Sequence, residues 1–71
     1  MANRLATKYL LNIYITQYVD GTYQLEAKHI HWAFDSKYNA DNVEEAYLPS
    51  VMRMMCGYAE REGIELTFKF V

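Results

Sequence analysis

Two histidines, His29 and His31, are the residues whose type and spacing come closest to a chemical site. On an extended segment, residues two apart point to the same face, and two imidazoles so placed can begin a zinc site. Only Cys56 or Asp35 could complete the ligand set, and neither stands at a spacing typical of zinc sites. We therefore expect no metal, and interpret the histidines as partly exposed strand residues beside Trp32.

Cys56, the single cysteine, could be a nucleophile only with a neighbouring base and a lowered thiol pKa. It lies in the apolar run Met-Met-Cys-Gly of residues 54–57, which is typical of an inert, buried thiol. The three glycines stand apart from one another, so no glycine-rich phosphate loop is present in the sequence. Together these features predict a protein that is not an enzyme and carries no cofactor.

Length and charge narrow the classes of partner. A chain of 71 residues has room for one core, so we expect a single domain over residues 1–71 that gains stability by forming a homodimer. The net charge is -2 and the basic residues are scattered, which argues against a nucleic-acid surface. A lone cysteine and the absence of a long apolar segment predict a cytoplasmic protein without membrane contact. We take the chain to be a complete small gene product.

Alternating apolar residues predict a first strand over residues 9–18, followed by a hairpin. A two-residue turn would mix apolar with charged positions across the hairpin. A three-residue loop over residues 19–21, with Gly21 in the left-handed conformation, instead sets Ile15 opposite Leu25. This register predicts one continuous apolar face.

The next stretch changes phase. Its apolar residues, Ile30, Trp32 and Phe34, have even numbers, whereas the apolar residues of the second hairpin strand have odd numbers. This change indicates a bulge or break near residues 28–29. Residues 36–42 are polar without periodicity, and we expect them to form a loop.

A helix is predicted after this loop. Asp41 and Glu44 resemble a capping box, so the helix is expected to begin near Asn42, and an apolar stripe carries it to a left-handed Gly63. Pro49 interrupts the stripe without changing its phase. We therefore expect one helix kinked at Pro49, with a split into two helices as the alternative.

A last strand over residues 64–70 alternates apolar with polar residues. The predicted fold is a small α+β domain of order β-β-α-β, an antiparallel sheet with one helix packed on one face. This order, with the turn at residues 20–21 and the helix start Asn-Val-Glu-Glu-Ala at residues 42–46, resembles that of HicB-like antitoxin domains. The resemblance implies an antitoxin-like regulator, although the proline- and glycine-bearing loop and the DNA-binding helix pair of those domains are absent from the sequence.

One helix covers one face of a small sheet, which leaves the opposite face for contacts. The side chains expected there form an aromatic and aliphatic row: Leu10, Tyr14, Tyr18, Ile30 and Trp32. Such a row predicts an interface. The alternative is that residues 4–8 or the loop of residues 36–42 fold over it.

Acidic residues gather around the predicted loop and helix start: Asp35, Asp41, Glu44 and Glu45. Helix capping and the helix dipole explain most of this group. The alternative is an acidic contact patch that meets a basic surface of another protein.

The sequence thus favours a non-enzymatic binding protein that inhibits or modulates a larger host protein by protein-protein contact. Its size is typical of the small regulators carried by phages and mobile elements. The alternatives are an antitoxin-like or nucleic-acid-binding regulator and a very small enzyme.

Overall fold

The computed structural model describes residues 9–28 and 36–71. They form a four-stranded mixed sheet with one α-helix packed against it, which confirms the α+β class. The elements in chain order are β1 (Tyr9–Gln17), β2 (Tyr23–Lys28), β3 (Ala40–Val43), α1 (Leu48–Glu62) and β4 (Ile64–Phe70). Short 3-10 turns at Ser36–Tyr38 and Glu45–Tyr47 precede β3 and α1. The strand order across the sheet is β3-β2-β1-β4.

The hairpin of β1 and β2 has the predicted register, with Ile15 paired to Leu25. Its turn is closed by two backbone hydrogen bonds: the Gly21 N–H donates to the Tyr18 carbonyl over 3.0 Å, and the Tyr18 N–H donates to the Thr22 carbonyl over 2.7 Å. Gly21 has a φ of 92°, in the left-handed region. The three-residue loop is therefore confirmed.

We expect Gly21→Val to lower the free energy of unfolding by about 1 kcal/mol or more. A Cβ at Gly21 would meet no atom within 4 Å, so the cost comes from the backbone conformation alone. Urea unfolding followed by circular dichroism measures the change. Gly57→Ala is the control, because Gly57 lies inside α1, where alanine is the better helix former and should not destabilise. Equal stability of wild type and Gly21→Val would contradict the strain argument.

The last strand does not run as expected. β4 pairs with β1 in parallel, from Tyr9 beside Ile64 to Ile15 beside Phe70, so the prediction of an antiparallel sheet is wrong. The reason is the extra strand β3. It runs antiparallel to β2, α1 then carries the chain back, and β4 consequently runs in the direction of β1.

The predicted helix start is also wrong. Asp41 and Asn42, expected in the loop and at the first helical residue, belong to β3, and Glu44 makes no side-chain cap. α1 begins at Leu48, with Pro49 in its first turn. Proline is well tolerated there because its missing N–H would have no partner inside the helix. The kink predicted at Pro49 is thus not confirmed, whereas the left-handed Gly63 ends the helix as expected, with a φ of 72°.

The core lies between the sheet and α1. Its buried side chains come from all four strands, from α1 and from the first 3-10 turn: Leu11, Ile13, Ile15, Leu25, Tyr38, Val43, Leu48, Met55, Ala59 and Ile64. Cys56 follows Met55 but points away from this core and is exposed, so the prediction of a buried thiol is wrong. The neighbouring residues differ because consecutive positions on a helix are separated by about 100°.

Candidate functional site

The face of the sheet opposite α1 is called the open face here. It is built from alternate residues of β1, β2 and β4: Leu10, Asn12, Tyr14, Thr16, Gln24, Glu26, Lys28, Glu65, Thr67 and Lys69. Leu10 is 55% exposed, and Tyr14 is partly exposed at the centre. Of the predicted interface residues, Leu10 and Tyr14 therefore lie on this face, while Ile30 and Trp32 lie outside the described residues.

Charged side chains frame the aromatic centre of the open face. The register sets Tyr14 between Glu26 of β2 and Lys69 of β4, and the Lys28 ammonium lies 5.5 Å from the centre of the Tyr14 ring. Glu65 stands beside Leu10 in the same way. In its described part this face thus mixes opposite charges with apolar side chains. The polar positions of β2 and β4 carried this signal in the sequence, beside the apolar row from which the interface was predicted.

Tyr18 and Asp41 were predicted to belong to two separate surfaces, and the structure brings them together. The Tyr18 hydroxyl donates a hydrogen bond of 2.6 Å to the Asp41 carboxylate. This bond, with the nearby carboxylate charge, raises the pKa of Tyr18 above its usual value. It links the end of β1 to β3 at the border of the open face.

The other acidic residues lie close to Asp41 along the chain. Glu44 and Glu45 are both exposed between β3 and α1, at the start of the second 3-10 turn. Asp35, the fourth residue of the predicted acidic patch, lies outside the described residues, as do His29 and His31. The acidic contact patch stays a prediction.

The loop predicted over residues 36–42 does not lie across the open face. Tyr38, in its first turn, is buried in the core on the helix side of the sheet. Its hydroxyl donates a 2.6 Å hydrogen bond to one carboxylate oxygen of Glu62 in α1, and the Lys37 ammonium binds the other oxygen. The Lys37 bond and then the Tyr38 bond lower the pKa of Glu62.

This clamp of Lys37, Tyr38 and Glu62 was missed by sequence reasoning. The available signal was a single aromatic residue in an otherwise polar stretch. The Tyr58 ring adds to the clamp, with the Lys37 ammonium 5.7 Å from its centre and the Arg61 guanidinium 5.4 Å away. The clamp fixes the chain before β3 to the last turn of α1, so its role is structural.

A shallow depression of about 190 Å³ lies where β3 meets β2. It is lined by Gln24, Leu25, Asn39, Ala40 and Asp41 and is open to solvent. Typical ligand pockets are enclosed clefts of roughly 300–1,000 Å³. The Asn39 side-chain oxygen nearby accepts a 3.0 Å hydrogen bond from the Ala27 N–H, which occupies a backbone donor of β2. The depression therefore lacks the volume and enclosure that a small molecule would need.

Neither a metal cluster nor a membrane span is found in residues 9–28 and 36–71. In these ranges no group of three or more His, Cys, Asp or Glu side chains could hold a metal ion. Across the same residues, no helix is long and apolar enough to cross a membrane.

These elements define the class: a small α+β domain with a mixed sheet, of which α1 covers one face and no described element covers the other. Residues 4–8, the other segment expected to cover that face, lie outside the described residues. No known protein family, characterised protein or solved structure matches the chain. The resemblance to HicB-like antitoxin domains is not supported by these comparisons, and residues 42–46, the expected helix start on which it partly rested, lie at the end of β3 and the start of the second 3-10 turn.

Proposed function

We propose that this chain is a non-enzymatic binding protein that inhibits or modulates a larger protein by covering part of its surface. The observation that supports the proposal is the open face, where Leu10 is exposed and Tyr14 is partly exposed among side chains of both charges. Aromatic and aliphatic groups supply contact area that excludes water, and surrounding charges select the partner and the register.

The charge pattern of the open face supports a folded protein as the kind of partner. Lys28 and Lys69 are balanced by Glu26 and Glu65 on the same face. A polyanion would meet as much repulsion as attraction there, whereas a folded protein can match both signs. In this proposal the chain is a small homodimeric regulator that acts in the cytoplasm. It is of the type carried by phages and mobile elements, and its target is a host protein.

The test compares tagged wild type with Leu10→Ser/Tyr14→Ser. Both proteins are used to retain partners from host lysate, a retained protein is identified by mass spectrometry, and its affinity is measured by calorimetry with purified components. We expect the double variant to bind at least tenfold more weakly, because it loses both apolar side chains of the described part of the face.

Met54→Ser is the matched control, since Met54 is an exposed apolar residue of α1 on the other side of the molecule. Affinity lost with Met54→Ser and kept with the double variant would place the contact on the helix and contradict the proposal. Salt-dependent binding to DNA or RNA, without a protein partner, would favour the nucleic-acid-binding alternative.

A further inference from the structure

The two edge strands of the sheet differ in their capacity to pair with another strand. β3 has four residues, is bulged between its pairings with Tyr23 and Leu25, and holds Asn42 at a φ of 54°. Short length, a bulge and polar side chains are the features that keep an edge from pairing. β4 has seven residues and pairs with β1 in an unbroken register, and no strand of residues 9–28 and 36–71 pairs with its outer side.

The outer side of β4 presents a regular row of backbone donors and acceptors. The Val71 N–H donates to the Ile15 carbonyl over 3.0 Å, so the odd-numbered residues of β4 direct their backbone polar groups towards β1. The even-numbered residues, from Ile64 to Phe70, therefore direct theirs outward. Phe70 is 65% exposed, which adds apolar surface to this edge. Among the described strands, none covers any part of this edge.

The side chains of β4 are complementary to those of a second, antiparallel β4. In a register centred on Thr67, Thr67 stands opposite Thr67 of the second copy and Glu65 stands opposite Lys69, twice by symmetry. On the helix side of the sheet, Leu66 stands opposite Phe68. Cross-strand pairs of opposite charge, of threonines and of apolar with aromatic residues all stabilise a sheet. Shifting the register by one pairing step in either direction separates Glu65 from Lys69.

We propose that two copies of this chain associate through β4, antiparallel and centred on Thr67, so that the two sheets become one. The contact is isologous, since each copy contributes the same strand, and it therefore closes as a dimer. It pairs the outward backbone groups of both copies and covers the exposed Phe70. This interface is an edge, so the central part of the open face around Tyr14 stays accessible to another protein.

A charge-swap series tests the proposal on purified protein by sedimentation equilibrium. Lys69→Glu sets carboxylate against carboxylate at both symmetric pairs, and we expect the dimer dissociation constant to rise roughly tenfold or more. Adding Glu65→Lys to this variant restores opposite charges across the interface and should return the dissociation constant to near the wild-type value. Glu65 and Lys69 are exposed, so circular dichroism should show all variants folded.

Lys28→Glu is the control, because it makes the same charge change on the same face but on β2. It should leave the dissociation constant unchanged. A wild type that stays monomeric at high concentration, or a dimer insensitive to Lys69→Glu, would overturn the β4 interface. A dimer weakened by Lys69→Glu and not restored by the swap would overturn the register. None of these outcomes depends on the proposed binding of a larger protein, since the chain is measured alone.

Discussion

Ile13→Ser is expected to remove most of the stability of the fold, whereas Tyr14→Ser, one residue along β1, should leave the chain folded. Ile13 is fully buried at the centre of the sheet, between Ala27 of β2 and Phe68 of β4. The substitution opens a cavity and buries a hydroxyl group, which together cost about 3–5 kcal/mol. A chain of this length has a stability of only about 4–10 kcal/mol.

Urea unfolding of both variants, followed by circular dichroism, measures this difference. Tyr14 lies on the open face, where serine is tolerated because solvent reaches the position. If Tyr14→Ser unfolded the chain and Ile13→Ser did not, α1 would have to cover the other face of the sheet.

Tyr38→Ala is expected to be about as damaging as Ile13→Ser. The Tyr38 side chain is almost fully buried in the core, and its removal leaves a large cavity, with an expected loss of about 3–5 kcal/mol in the free energy of unfolding. Tyr38→Phe keeps the ring and removes only the hydrogen bond to Glu62, so it should cost much less. The urea midpoints of the two variants measure the contrast. Equal losses would mean that the hydroxyl, and not the ring, holds this segment.

The same clamp gives a pH dependence with a definite sign. The Lys37 ammonium, and after it the Tyr38 hydroxyl, lowers the pKa of Glu62 in the folded chain. A carboxyl whose folded pKa lies below its unfolded pKa contributes stability above the unfolded value and loses it as the pH falls through the folded value. Glu62→Gln should therefore destabilise at neutral pH and have little effect in acid, as urea midpoints at the two pH values would show.

The hairpin and the division into two faces could be predicted from the sequence because both depend on local information. The alternation in β1 fixes which side chains share a face, and Gly21 fixes the loop that sets Ile15 opposite Leu25. The left-handed end of α1 at Gly63 was predictable for the same reason.

β3 and the direction of β4 could not be predicted, because they depend on distant residues. Asp41 and Glu44 have the spacing of a capping box, yet the segment that contains Asp41 forms β3. It pairs with the side of β2 that faces away from β1, between Tyr23 and Leu25. That pairing delays the helix to Leu48, where Pro49 fits the first turn.

The candidate site was predictable in part. Strand parity placed Leu10 and Tyr14 on the open face, but the hydrogen bond between Tyr18 and Asp41 joins the residue after β1 to a residue of β3. The clamp at Tyr38 likewise depends on Glu62, far along the chain. Neither contact follows from spacing in the sequence, because both arise from the packing of the elements.

The parallel pairing of β1 with β4 also constrains the order in which the chain can acquire its structure. β1 finds its first neighbour, β2, through a short turn, but its second neighbour, β4, is made only after β2, β3 and α1. Bringing Tyr9 beside Ile64 closes a loop that contains β2, β3 and α1, and the contacts of β4 must offset the entropy lost in that closure. During synthesis, β1 therefore has only one neighbour among the described strands until β4 has been made.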